Sequence, residues 1–203
     1  MNEDPNMRTM VTRSLLIVFT VVLMSASSQG QQSVSALYSK GYFDEIAEIG
    51  PTQINKLVKA GKIVAASQTA EQTCRSYIQL GKFDEAIKLV DSIADDQNLK
   101  KLAPGKSASL YFCKAAAFRS KHDYHKSFEI LDRAISFSPK DPETKAGYHL
   151  EIGRTLYSSG HDFAAIVWLE RAEREALAIA KLSIYFDSLR FLSLAWSAKS
   201  FYA

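Results

Sequence analysis

Four histidines, two cysteines and a recurring set of arginines are the residues of this chain whose side chains could do chemistry. His122 and His125 are three residues apart with Asp123 between them. On a helix that spacing brings two ligands to one face, a pattern able to hold a divalent metal. No third ligand stands near them in sequence, so they read as surface histidines at a turn. His149 and His161 are isolated and read as helix-surface or turn residues. The chain has no Gly-x-Ser-x-Gly, no Gly-x-x-x-x-Gly-Lys-Ser/Thr, no His-Glu-x-x-His and no Cys-x-x-Cys, the spacings that nucleophile, phosphate, zinc and redox sites need. The expectation is a protein that is not an enzyme, with no cofactor and no metal.

The elements that position these residues follow from a repeat. Gly81 serves as an anchor. Tyr77 lies four before it, Phe83 two after, and Ala86, Val90 and Ile93 five, nine and twelve after. The last three offsets are helical and make one apolar stripe. Gly81 suits the left-handed residue that ends a helix, and Asp84 and Glu85 suit the first turn of the next. The pattern returns around Gly41 (Leu37, Phe43, Ile46), around His122 (Phe118, Tyr124, Ser127, Leu131, Ala134) and around Gly160 (Leu156, Ala165, Leu169, Ala172). The four anchors are spaced by 40, 41 and 38 residues, and a further step of 40 lands on Ser200.

A small residue and an aromatic in a first helix, a Gly-x-aromatic turn, then Ala and apolar positions in a second helix resemble the tetratricopeptide repeat family, here in a long-repeat variant. GKFDEAIKLV (81–90) carries the resemblance best. In 152–172 the aromatic Phe163 is one place late, and in 111–139 His122 replaces Gly and Ser127 replaces Ala. The resemblance implies an all-α fold, an antiparallel helix-pair solenoid wound as a right-handed superhelix. It implies units at about 33–60, 62–102, 107–139 and 142–182, and a terminal helix over 183–203.

At the N-terminus, Arg8 and Arg13 precede the apolar run Leu15–Met24, and small residues follow to Gly30. Ten apolar residues are too few to span a bilayer, and this order is that of a signal peptide over 1–30. The remaining domain, 31–203, is expected to be exported to a periplasm, the extracellular space or a secretory lumen, an uncleaved anchor being the lesser alternative. The net charge of +3, unchanged by cleavage, gives no case for nucleic acid or an anionic membrane surface.

Cys74 and Cys113, 39 residues apart, fall on first helices of neighbouring units. Export favours a disulfide. Against it, neighbouring helix axes lie roughly 8–10 Å apart, whereas a bridge needs Cα atoms about 5.5 Å apart. Two buried thiols are the expectation and a bridge the alternative. Neither cysteine has a histidine placed to activate it. Pro51, Pro104, Pro139 and Pro142 all fall at proposed boundaries. Gly50-Pro51 is expected to stop one helix, leaving a short separate one over 52–60.

In solenoids of this resemblance the first helices line the concave face. Their residues not facing inward are Glu71, Arg75 and Gln79, then Phe112 and Arg119, then Leu150, Arg154 and Tyr157, and finally Arg190. Arginine forks take carboxylates bidentately and aromatics add apolar contact. The set therefore marks a groove for a partner protein or peptide, an acidic one being what the arginines would favour. The alternative is a set of surface arginines paired with Glu71, Glu151 or Asp187. Two rival functions stand beside this scaffold: the N-terminal repeat region of a larger enzyme such as a caspase-like peptidase, and a homo-oligomer built through Trp196, Phe201 and Tyr202 of the aromatic last helix.

Overall fold

Turn residues set the architecture. Gly41, Gly61, Gly81 and Gly160 have φ between +69° and +80°, and two residues with side chains, His122 and Ala180, share that left-handed region at +61° and +53°. Each such residue ends one helix and lets the chain reverse into the next. The computed structural model describes residues 33–94, 96, 97, 99 and 103–200, except for the side chains of 199 and 200. Among them every long element is a helix: α1 (Val34–Lys40), α2 (Phe43–Lys59), α3 (Ile63–Gln79), α4 (Phe83–Ile93), α5 (Pro104–Ser120), α6 (Tyr124–Phe137), α7 (Pro142–Ser158), α8 (Asp162–Ala178) and α9 (Leu182–Ser200). The segment expected to be a signal peptide, 1–30, lies outside the described residues, as do Phe201 and Tyr202.

Start signals match their helices. Ser33 accepts from the Ala36 amide at the head of α1 and Asp123 from Lys126 at the head of α6. Asp141 accepts from the Thr144 amide, with Pro142 at the first position of α7. Acids fall in the first turns of α2 and α4, where the helix dipole favours them.

Each helix packs on the next one in the chain. The odd-numbered helices also pack on one another in order: α1 on α3, α3 on α5, α5 on α7 and α7 on α9. Small residues permit this double contact. Ala66, Ala70, Ala108, Ala115, Ala117 and Ala146 are fully buried. At Gly153 an added Cβ would come within 2.6 Å of Leu169 Cγ, so α8 rests directly on the α7 backbone. Ser127, standing where the repeat pattern has Ala, donates its hydroxyl to the Ala115 carbonyl at 3.0 Å and lies 3.2 Å from the Thr155 hydroxyl. A buried hydroxyl with partners on α5 and α7 is tolerable, and one without is costly.

Two expectations fail here. α2 is one helix through Pro51, not two. Proline removes the amide that would bond the carbonyl four residues back, which is Ala47. The Tyr77 hydroxyl of α3 donates to that carbonyl at 3.3 Å, so the acceptor is not orphaned. The cysteines are bridged: Cys74 and Cys113 form a disulfide joining α3 to α5, with Cα atoms 6.5 Å apart. An interaxial distance overstates the Cα separation, because facing Cα atoms each lie about 2.3 Å inside their own axes. The alanine-rich faces of α3 and α5 then bring the pair within the range a bridge spans.

Ala180 offers a stability test. Its left-handed φ of +53° costs a residue with a Cβ roughly 1–2 kcal/mol. Ala180→Gly should therefore raise stability by about 1 kcal/mol despite glycine's unfolded-state entropy, measured as a higher urea midpoint at unchanged slope.

Candidate binding groove

The odd-numbered helices share one concave surface, a groove of about 640 Å³. α1 contributes Tyr38, α3 contributes Gln68, Glu71 and Arg75, α5 contributes Lys106 and Phe112, α7 contributes Leu150, Glu151 and Arg154, and α9 contributes Ile184 and Asp187. The groove runs from the first helix to the last.

Its floor is a ladder of arginines and carboxylates crossing four helices. On α3, Arg75 donates from Nε and Nη2 to Glu71 Oε1 at 3.2 and 3.0 Å. Glu151 of α7 receives Arg119 Nη1 of α5 on one oxygen and Arg154 Nη1 on the other, both at 2.6 Å. Arg154 Nη2 reaches onward to Asp187 Oδ2 of α9 at 2.8 Å. The Arg154 guanidinium lies 4.8 Å from the Phe191 ring centre, and Tyr157 meets that ring edge-on. Three cations thus balance three anions.

Burial sorts the members. The Glu151 side chain is 7% exposed, Arg154 12% and Arg119 14%, while Arg75 is 43% exposed. Burial alone pushes the Glu151 carboxyl up, but the Arg154 and Arg119 guanidiniums outweigh it and hold its pKa down to about 2. Burial works against the Arg75 charge, yet Glu71 and then Glu151 raise its pKa above the ordinary value.

Apolar surface lies beside the ladder. Phe112 and Leu150 sit in the floor, and Gly147 makes room for the Phe112 ring, whose Cε2 would lie 3.0 Å from a Cβ there. At the rim Lys181 pairs with Glu143 at 2.6 Å, and Asp141 is engaged by the Thr144 hydroxyl and amide.

Of the residues expected in the groove, Glu71, Arg75, Phe112, Leu150 and Arg154 line it. Gln79, Arg119, Tyr157 and Arg190 are not among its lining residues. Gln79 lies beyond it at the end of α3. Arg119 joins the ladder through Glu151 without reaching the lining, and Tyr157 and Arg190 pack about Phe191. Gln68, Gln72 and Lys106 line the groove and were not expected. Gln68 and Gln72 were legible in principle, because Gln68 lies one turn before Glu71 and Gln72 one turn before Arg75 on the same stripe.

The histidines go elsewhere. His122 Nδ1 is 2.9 Å from the Tyr124 hydroxyl, and His161 Nδ1 is 3.0 Å from the Ser159 hydroxyl. His149 corrects its expectation: it is buried, its Nδ1 2.6 Å from Glu175 Oε2 and its ring beside Trp168. Among the described residues no cluster of His, Cys, Asp and Glu is placed to hold a metal, and no helix is long and apolar enough to cross a membrane.

No protein-family model matches the chain, and no curated protein matches it.

Proposed function

We propose that this chain is an exported scaffold that holds a segment of another polypeptide in the groove of the odd-numbered helices. The helix pairs are read as a tetratricopeptide-like solenoid wound to the right, and 1–30 as the signal that sends it out of the cytoplasm. One observation carries the reading: five successive odd-numbered helices contribute side chains to a single groove that sets apolar side chains beside a charged ladder. A continuous trough of that kind suits an elongated ligand. Affinity in such a site comes from a few anchored side chains, here over Phe112, Leu150 and Ile184.

The ladder narrows the role of charge. Arg154 and Arg119 are consumed by Glu151 and Asp187, so a partner carboxylate has little to gain from them. Arg75 is the arginine that faces solvent, with Glu71 bound to one edge of its guanidinium. It is the contact for an acidic group on the partner.

A random-peptide display library panned against the full chain tests this. Selected peptides should lose about tenfold or more in affinity on Arg75→Gln, the scale of one charge-assisted contact, at an unchanged melting temperature. Gln68→Trp, which fills the groove from an exposed position, should abolish binding. Peptides that bind both variants as well as the parent would overturn the groove as the site.

A further inference from the structure

The hairpin of α2 and α3 turns at Gly61, where an added Cβ would meet nothing within 4 Å. From 55 to 65 every residue is exposed except Leu57 and Ile63. Two of the exposed ones are valines. Val58, three residues before Gly61, is 43% exposed, and Val64, three after it, is 40% exposed. Lys56, Lys59 and Lys62 stand among them, and no acid occurs between Glu48 and Glu71. Among the described residues none of these three lysines has an ion-pair partner. Lys114, Lys121 and Lys181, by contrast, each meet an acid of another helix.

Folding accounts for part of this turn. Lys56 and Lys59 lie in the last turn of α2, where the helix dipole favours cations. Lys62 is the reverse case. It stands at the start of α3, the positive end of the dipole, and no acid in the first turn offsets it. The starts of α2 and α4 carry two acids each. Helix stability therefore does not explain Lys62, and core packing does not explain two half-exposed valines. The whole-chain charge of +3 averages the patch away.

We propose that this turn docks on an anionic bilayer surface, with the valines in the interfacial layer and the lysines on lipid phosphates around them. Shape and composition favour that occupant. A convex tip has no hollow for a small ligand, and a fluid surface needs no matching shape. A soluble polyanion engages lysines but leaves the valines in water, whereas an interface takes both. The lysine stems are apolar and let the ammonium groups reach headgroups while the backbone of the tip sits deeper. Each lysine near an anionic surface strengthens partitioning about fivefold, so three give about a hundredfold. The attraction is reversible and screened by salt. It does not depend on what the groove holds.

A fluorophore on the turn reads the contact at one place in the full chain. Because Cys74 and Cys113 are bridged and buried, Ala60→Cys takes an environment-sensitive dye selectively. Lys82→Cys, at the exposed turn between α3 and α4, is the control. Each is titrated with phosphatidylglycerol vesicles and with neutral phosphatidylcholine vesicles. The dye at position 60 should shift to the blue with the anionic vesicles alone and return in high salt, and the dye at 82 should not shift. Lys56→Gln, Lys59→Gln and Lys62→Gln together should weaken the anionic partitioning about a hundredfold. Val58→Ser with Val64→Ser should weaken it about tenfold at unchanged salt dependence. No shift at 60, or equal shifts at 60 and 82, would overturn the docking. So would equal shifts with both kinds of vesicle, or a lysine variant that partitions like the parent. A valine variant that binds like the parent would reduce the turn to a general polyanion contact and overturn the bilayer as its partner.

Discussion

Glu151→Gln is expected to cost about 3–5 kcal/mol of folding stability, because it leaves buried guanidiniums without their counter-charge. Glu151 holds Arg119 with one oxygen and Arg154 with the other, all three side chains largely buried. Glutamine keeps the shape and removes the charge. The cost is one of breaking the set, not a measure of the set's net worth. Changing Arg119, Glu151 and Arg154 together to Met, Leu and Met should accordingly be far less damaging than Glu151→Gln alone. Urea unfolding of the two variants beside the parent makes the comparison.

The same carboxylate makes the fold acid-sensitive. Its pKa in the folded protein is about 2, against an ordinary 4.5. A depressed pKa means that the folded state binds the proton later than the unfolded chain does. The contribution, about 3 kcal/mol, is fully present above about pH 4.5. It is lost as pH falls towards 2. The parent's stability should therefore fall between those values, and that of Glu151→Gln should fall distinctly less over the same range. Equal acid slopes for the two proteins would show that Glu151 is not the group responsible.

Loss of the Cys74–Cys113 bridge is expected to cost about 4 kcal/mol on loop entropy, for a sequence separation of 39. At this chain length that is roughly an 8–16 °C fall in melting temperature. Cys74 is fully buried and Cys113 is 3% exposed, so reductant should act slowly on the native protein and fast once it unfolds. Thiol titration of the unfolded, unreduced chain should find no free thiol, and Cys113→Ser should melt at the lower temperature. Two titratable thiols, or a Cys113→Ser melt at the parent temperature, would remove the bridge from the account.

The bridge also shows where sequence reading stops. Spacing placed both cysteines on packed helices, but whether two Cα atoms come within bridging distance depends on the bulk between the helices. Here alanines supply the closeness. Pro51 is a like case. Its rule is local, and its exception is the Tyr77 hydroxyl of another helix, 30 residues away in the chain. Helix existence was legible because the apolar stripes after Gly41, Gly81, His122 and Gly160 are local and periodic. The turn at Ala180 was not, since nothing about an alanine announces a left-handed backbone.

In the groove, the stripe on α3 and the equivalence of Arg75 and Arg154 could be read from spacing. Their different fates could not. Arg154 has Glu151 three residues before it and Asp187 across from it on α9, and so is buried and neutralised. Among the described residues Arg75 pairs with Glu71, and it stays accessible. A charge-reversal test at both positions would mix a folding defect with a binding defect, whereas Arg75→Gln with Glu151→Gln separates them.

The most direct test is photo-crosslinking from inside the groove. A photoreactive residue at Gln68, in the wall of the groove, is compared with one at Lys88, exposed on α4, in full chain exposed to the selected peptides. The account predicts peptide adducts from position 68, competed by unlabelled peptide and reduced by Arg75→Gln, and none above background from position 88. Equal labelling from both positions, or labelling from 88 alone, would contradict a polypeptide held in the groove.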